Sequence, residues 1–181
     1  MIALTIPDPA RMEALGARLA PLLRAGDLVL LNGELGAGKT TLARGLGAAL
    51  GARGAVTSPT FVLAREHPTA SGVPLVHVDA YRLATARELD DLDLDYDHAI
   101  VVVEWGAGKL DGVSESWLSI DIRRRSGGAA PAEPRGALSD GALADDELSD
   151  DDLSDDDPRE VTITGSGARG LELEASLGAA E

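Results

Sequence analysis

Gly33-Glu34-Leu35-Gly36-Ala37-Gly38-Lys39-Thr40 fits G-x-x-x-x-G-K-[ST], the pattern of a phosphate-binding loop. The residues on either side agree with it. Leu28-Val29-Leu30-Leu31 reads as a buried strand, and Thr41-Leu42-Ala43-Arg44-Gly45-Leu46 can open a helix. Strand, glycine loop, helix is the order this chemistry needs. Glycines let the backbone wrap closely around phosphates and aim its N–H groups at them. The N-terminus of the helix adds a potential that favours anions. In that arrangement Lys39 reaches the β- and γ-phosphates of a nucleotide, and the Thr40 hydroxyl ligates Mg²⁺.

Working outward, Ala3–Ile6 reads as a short strand. Asp8-Pro9 reads as the cap and first residue of a helix, because Asp accepts from orphan N–H groups and Pro lacks the N–H that would be orphaned. Met12, Leu15, Leu19, Leu22 and Leu23 then recur at helical spacing up to a turn at Gly26-Asp27. The helix after the loop runs to about Leu50. Phe61–His67 and Leu75–Asp79 read as two strands joined by a turn over 68–72, and residues 81–97 as helix plus loop. Ile100-Val101-Val102-Val103 is apolar throughout, as a central strand covered on both faces must be. Trp117–Ile122 alternates as a later strand, with Val161–Thr164 as its partner. Residues 165–181 are weakly patterned, and the expectation there is a frayed tail. The fold expected is α/β and P-loop NTPase-like, with a mostly parallel central sheet flanked by helices and antiparallel hairpin additions.

The 181 residues suffice for one domain with a real core, and one domain over 1–181 is the expectation. The absence of cysteine excludes disulfides and thiolate metal sites. The N-terminus lacks the charged and apolar regions of a signal peptide, and no apolar run approaches membrane-spanning length, so a soluble cytoplasmic protein is expected. The net charge of −15 is unevenly placed. Residues 139–157 hold ten acidic side chains and no Lys or Arg; without them the charge is −5, which leaves room for a local basic site. Residues 126–158 show no helical or strand period, and Leu-Ser-Asp recurs at Leu138, Leu148 and Leu153. Such a segment buries too little apolar area to offset its ordering entropy and reads as a disordered acidic insertion in a β-hairpin. Deleting residues 127–157 is expected to leave the unfolding midpoint and nucleotide affinity almost unchanged, which thermal melts and calorimetry check.

A phosphate loop alone gives binding, not a reaction. Hydrolysis or transfer also needs a carboxylate at the metal or at the attacking water. Asp79 follows Leu75-Val76-His77-Val78 and Glu104 follows Ile100-Val101-Val102-Val103. Ligands of parallel α/β sheets bind beyond the carboxyl ends of strands, so both acids can face the phosphates; each can also be a solvated strand-end charge. Trp105 either stacks near the site or packs ordinarily. His77 suits a structural hydrogen bond better than proton transfer. Gly106-Ala107-Gly108-Lys109 lacks the first glycine of a phosphate loop and reads as a turn. Arg123-Arg124-Arg125 is either a phosphate or nucleic-acid patch or a basic flank of the insertion.

Four blocks in order resemble the bacterial TsaE family, formerly called YjeE. They are Gly33 to Thr41, Thr57-Ser58-Pro59-Thr60-Phe61, His77-Val78-Asp79-Ala80-Tyr81-Arg82 and Glu104-Trp105. The first is shared with many NTPases; the other three together are far more specific. The resemblance covers roughly 1–122 and resumes near 159–164. It implies a small Mg-dependent ATPase of tRNA threonylcarbamoyladenosine biosynthesis that acts with TsaB and TsaD, touches tRNA only through that complex, and hydrolyses ATP slowly to reset it. ATP would be bound by Glu34, Leu35, Gly36, Ala37, Gly38, Lys39, Thr40 and Thr41, with Thr60 sensing the γ-phosphate and Trp105 close to the nucleotide. Thr40 and Glu104 would hold Mg²⁺. Lys39, Asp79 and Glu104 would carry catalysis, Asp79 near the metal or the attacking water. Two departures stand out: His67 replaces a frequent tyrosine, and the acidic insertion is atypical.

The rivals to this reading are a P-loop small-molecule kinase, a GTPase switch and a non-catalytic nucleotide-binding module. Kinases of that kind close an arginine-bearing lid, and the arginine run here abuts the insertion. Guanine readers carry Asn-Lys-x-Asp, whereas Asn32 is the only asparagine of the chain.

Overall fold

A computed structural model describes residues 1–59, 62–108, 114–124 and 157–179. Thr60, Phe61, Lys109, Arg125 and all but the last two residues of the 126–158 insertion lie outside the described residues. In chain order the elements are β1 (Ile2–Ile6), α1 (Pro9–Leu19), a 3-10 turn (Ala20–Leu22), β2 (Leu28–Asn32), α2 (Lys39–Leu50), β3 (Ala64–His67), β4 (Leu75–Asp79), α3 (Ala86–Asp90), β5 (Ile100–Glu104), β6 (Trp117–Arg124), β7 (Arg159–Ser166) and α4 (Gly167–Ala179). Among the described residues seven strands form one sheet in the order β1-β7-β6-β2-β5-β4-β3. The middle is parallel: β6, β5 and β4 join through β2 with a common direction. The antiparallel additions lie at the edges, as β3 on β4 and as β7 between β6 and β1. No described helix is long and apolar enough to cross a membrane.

The apolar run of β2 is buried because both faces of the strand are covered. Val29 and Leu31 join Leu15, Leu19, Leu42 and Leu46 of α1 and α2 on one side. Leu28 and Leu30 join Val101, Val103 and Leu89 on the other. Period-2 alternation thus divides one strand between two cores. α1 starts as its sequence requires: the Asp8 side chain accepts from Arg11 N at 2.7 Å, with Pro9 in the first turn. α1 and α2 approach so closely that a Cβ on Gly45 would stand 2.0 Å from the Glu13 carbonyl oxygen. Only glycine allows that backbone-to-backbone contact.

Two expectations are corrected. The strand expected over Phe61–His67 begins only at Ala64. The N–H groups of Val62 and Leu63 donate to Pro59 O, and Leu63 has φ 63°, so this stretch is a turn. The tail is not frayed over 165–179. β7 continues to Ser166, and α4 buries Gly170, Leu173 and Leu177. A Cβ on Gly170 would lie 2.1 Å from Trp117 O, so the small residues that obscure the pattern are what let α4 dock.

Arg169 of α4 ties this helix to the start of β2. Its Nε donates to Asp27 Oδ1 and its Nη2 to Asp27 Oδ2, both at 2.7 Å, and Nη2 also donates to Leu22 O at 2.7 Å. The bond to Asp27 holds the Arg169 guanidinium above its ordinary range. Asp27 is 2% exposed and Arg169 20%, so removing the arginine strands a buried carboxylate that retains the bond from Arg24 N. Arg169→Ala is expected to lower unfolding stability by about 2 kcal/mol, below the full cost of breaking a wholly buried pair because the arginine is partly wet. Urea unfolding checks it; an unchanged midpoint would mean that the α4 tether contributes nothing.

Candidate active site

The loop after β2 folds as its glycines dictate. Gly33, Gly36 and Gly38 all have positive φ, at 148°, 70° and 110°. A Cβ on Gly33 would meet Ile122 O at 2.4 Å. Gly38 is the N-cap of α2, and among the described residues no side chain caps that helix end. Glu34 and Leu35 are exposed, Gly36 and Gly38 are half-buried, and Ala37 is buried with its N–H on Glu34 O at 3.1 Å. Backbone of this kind at a helix N-terminus presents N–H groups and a potential that suit an anion.

Lys39 is 4% exposed. Its Nζ donates to Gly33 O and Glu34 O, each at 2.9 Å, and lies 3.7 Å from the centroid of the Trp105 ring. The lysine is therefore held over the loop by two carbonyls and an aromatic face, where a cation is favoured. Trp105 in turn packs against Tyr81, with ring centroids 5.1 Å apart. Its φ of 62° is an outlier for a bulky residue, maintained in part by its N–H on Leu31 O at 2.9 Å. Strain of this kind concentrates at functional sites. Of the two readings left open by the sequence, the contact with Lys39 places Trp105 at the phosphate loop.

Asp79 and Glu104 end β4 and β5 in register with one another. Both are buried, at 4% and 2% exposed, so neither is a solvated strand-end charge. Asp79 Oδ1 accepts from Tyr81 N at 2.9 Å, and Oδ2 accepts from Ser58 Oγ at 3.3 Å. Thr40 Oγ1 donates to Glu104 Oε1 at 2.9 Å. His77 Nε2 is 2.9 Å from the same oxygen. Thr41 is half-buried in the first turn of α2.

The structure thus brings together Lys39, Thr40, Glu104 and Trp105, and places Asp79 on the strand beside Glu104. Thr60 lies outside the described residues. Four supports complete the site: His77 on Glu104, a structural hydrogen bond that the sequence predicted without its partner, and three that sequence reasoning missed, Ser58 on Asp79, Tyr81 on Trp105, and Arg124, whose Nη2 donates to Gly36 O at 3.2 Å. The signal for the first was the alternation in β4, which puts His77 and Asp79 on one face. Arg124 resolves part of the arginine run: it braces the loop, while Arg123 is exposed. A cleft of ≈ 440 Å³ opens between the start of the loop and the end of β6, lined in part by Asn32, Glu34 and Arg124. Gly106-Ala107-Gly108 is a turn, with φ 70° at Gly108. His67 is buried with Nδ1 donating to Arg53 O at 3.3 Å, well away from the phosphate loop in sequence.

The donor set suits magnesium. Thr40 and Glu104 offer a hydroxyl and a carboxylate, both hard oxygens, already within hydrogen-bond distance of each other. Among the described residues no group of three or more His, Cys, Asp or Glu could cage a metal. Two protein oxygens fit an ion that keeps waters and substrate phosphates in its shell.

Comparison with known proteins agrees with this geometry. The family model "Threonylcarbamoyl adenosine biosynthesis protein TsaE" matches residues 6–130. The chain is 61% identical over 123 residues to the tRNA threonylcarbamoyladenosine biosynthesis protein TsaE of Streptomyces coelicolor, covering 66% of this chain and 83% of that one. It is 48% identical over 132 residues to the protein of that name from Mycobacterium tuberculosis strain H37Rv, covering 67% and 79%. It is 37% identical over 121 residues to the one from Bacillus subtilis, covering 65% and 74%. The crystal structure of YdiB from Bacillus subtilis is similar with a TM-score of 0.65 and 26% identity, over 98% of this chain and 94% of that one. The phosphate loop, the paired strand-end acids and these matches agree: the chain belongs to the TsaE family of threonylcarbamoyl adenosine biosynthesis proteins.

Proposed function

We infer that this protein binds ATP with Mg²⁺ and hydrolyses it slowly, in support of threonylcarbamoyladenosine formation on tRNA by a cytoplasmic complex with TsaB and TsaD. The observation that carries the reading is the Thr40–Glu104 hydrogen bond across the mouth of a left-handed glycine loop. It joins the first turn of α2 to the end of β5, as an Mg-nucleotide site in a P-loop protein needs. The relatives' printed names support the role in tRNA modification.

The residues divide the work. The backbone N–H groups of the loop and of the first turn of α2 cradle the phosphates. Lys39 exchanges its carbonyl and aromatic partners for phosphate oxygens. Thr40 and Glu104 would hold Mg²⁺, which when bound neutralises charge on the β- and γ-phosphates. Asp79, bonded by Ser58 and Tyr81 N, would act near the metal or the attacking water. Phosphoryl transfer depends on positioning and charge stabilisation, and a partner can complete both. The kinase alternative requires a phosphoacceptor site, and no observation among the described residues favours one.

The test is phosphate release by the chain alone and with TsaB and TsaD, with and without EDTA. Slow release alone, acceleration by the pair and abolition by the chelator are expected. Release that ignores the pair would remove the coupling, and release that survives EDTA would remove the metal role.

A further inference from the structure

His77 occupies the centre of Leu-Val-His-Val-Asp, a strand buried from end to end. Its side chain is 0% exposed. An imidazole in such a place costs free energy unless it is hydrogen-bonded. The bond it makes is to Glu104 Oε1 at 2.9 Å, through Nε2. A carboxylate only accepts, so the proton lies on Nε2. Nδ1 is buried without a partner among the described residues. The ring thus has one bond, and that bond goes to a residue of the nucleotide site.

The register explains the contact. His77 pairs with Val102 and Asp79 with Glu104, so all four side chains lie on one face of the parallel pair. Leu75, Ile100 and Val102 identify that face as the one packed in the core with Leu42 and Leu46 of α2. Thr40, at the start of α2, donates to the same Oε1 from that side. Oε1 therefore receives two donors, one from β4 and one from α2. A hydroxyl has a single proton. While Thr40 directs it at Glu104, the hydroxyl lone pairs remain for a cation.

We propose that His77 is a positioning residue for the magnesium site: it locks the Glu104 carboxylate in the orientation that draws the Thr40 proton and opens the Thr40 oxygen to the metal. This rests on the Mg-ATP reading above. Residues that orient ligands from behind are worth about 10- to 100-fold in metal affinity or activity.

The experiment is calorimetric ATP binding with and without Mg²⁺, for the wild type, His77→Leu, His77→Gln and Glu104→Ala. The leucine variant fills the space without a donor; the glutamine variant restores an N–H. In the wild type Mg²⁺ should tighten ATP binding. In His77→Leu that tightening should fall by about tenfold, while metal-free ATP affinity stays the same. His77→Gln should recover most of it. Adding His77→Leu to Glu104→Ala should cost nothing further, because the histidine acts through the glutamate. Should the leucine variant not fold, His77→Met, with its flexible chain, serves in its place. Full tightening in the donor-free variant, or a glutamine variant as impaired as leucine, overturns the proposal. A wild type without any Mg²⁺ effect overturns instead the Mg-ATP reading on which it rests.

Discussion

Lys39→Ala is expected to weaken ATP binding by at least about 2 kcal/mol, close to thirtyfold in Kd. The free protein already holds this lysine in place: Gly33 O, Glu34 O and the Trp105 face all engage Nζ, and the stem is buried. Binding therefore spends little side-chain entropy on ordering it. Its charge would meet phosphate from a nearly buried position where water screens poorly, so the expected loss on truncation exceeds that of a surface pair. The loop amides and the end of α2 remain, so binding should weaken rather than vanish. Calorimetry measures the change; unaltered affinity would refute the assignment of the loop.

Asp79→Ala and Glu104→Ala are expected to separate binding from turnover. Hydrolysis should fall by roughly 10² or more in each, the order of losing a positioned acid–base or charge-stabilising group. The two should differ in how they fail. Glu104 bonds Thr40, so its loss should also weaken the Mg²⁺-dependent part of ATP affinity. Asp79 bonds Ser58 and Tyr81 N and has no such link to α2 among the contacts described, so its loss should leave Mg-ATP binding close to wild type. Phosphate release with TsaB and TsaD present, measured beside calorimetry, distinguishes them. Full turnover in both variants would end the catalytic assignment of the two acids.

The legibility of the site follows from the range of its interactions. The phosphate loop was readable because three glycines and a lysine at fixed spacing dictate a local backbone, and Gly33, Gly36 and Gly38 all adopt it. Asp79 and Glu104 were readable because each ends an apolar run, and the parallel register then sets them side by side. What makes them a site was not readable. The bonds of Glu104 to Thr40 and to His77 cross 64 and 27 residues, and no periodicity reports a contact between elements. Arg124 on Gly36 O spans 88 residues in the same way. α4 was missed for the opposite reason: Leu173 and Leu177 face inward but Leu171 is 57% exposed, and the glycines that allow close docking blur the helical pattern. At β3, the turn at Val62 and Leu63 overrode an expectation of strand that rested on local composition.

The most direct test of the account is an ATP titration of the unmodified chain in the presence of Mg²⁺, repeated after chelation. Saturable binding of one nucleotide per chain, weakened when the metal is removed, is the expected result. An absence of binding at millimolar ATP, or an affinity indifferent to Mg²⁺, would contradict the claim that Lys39, Thr40 and Glu104 form an Mg-ATP site.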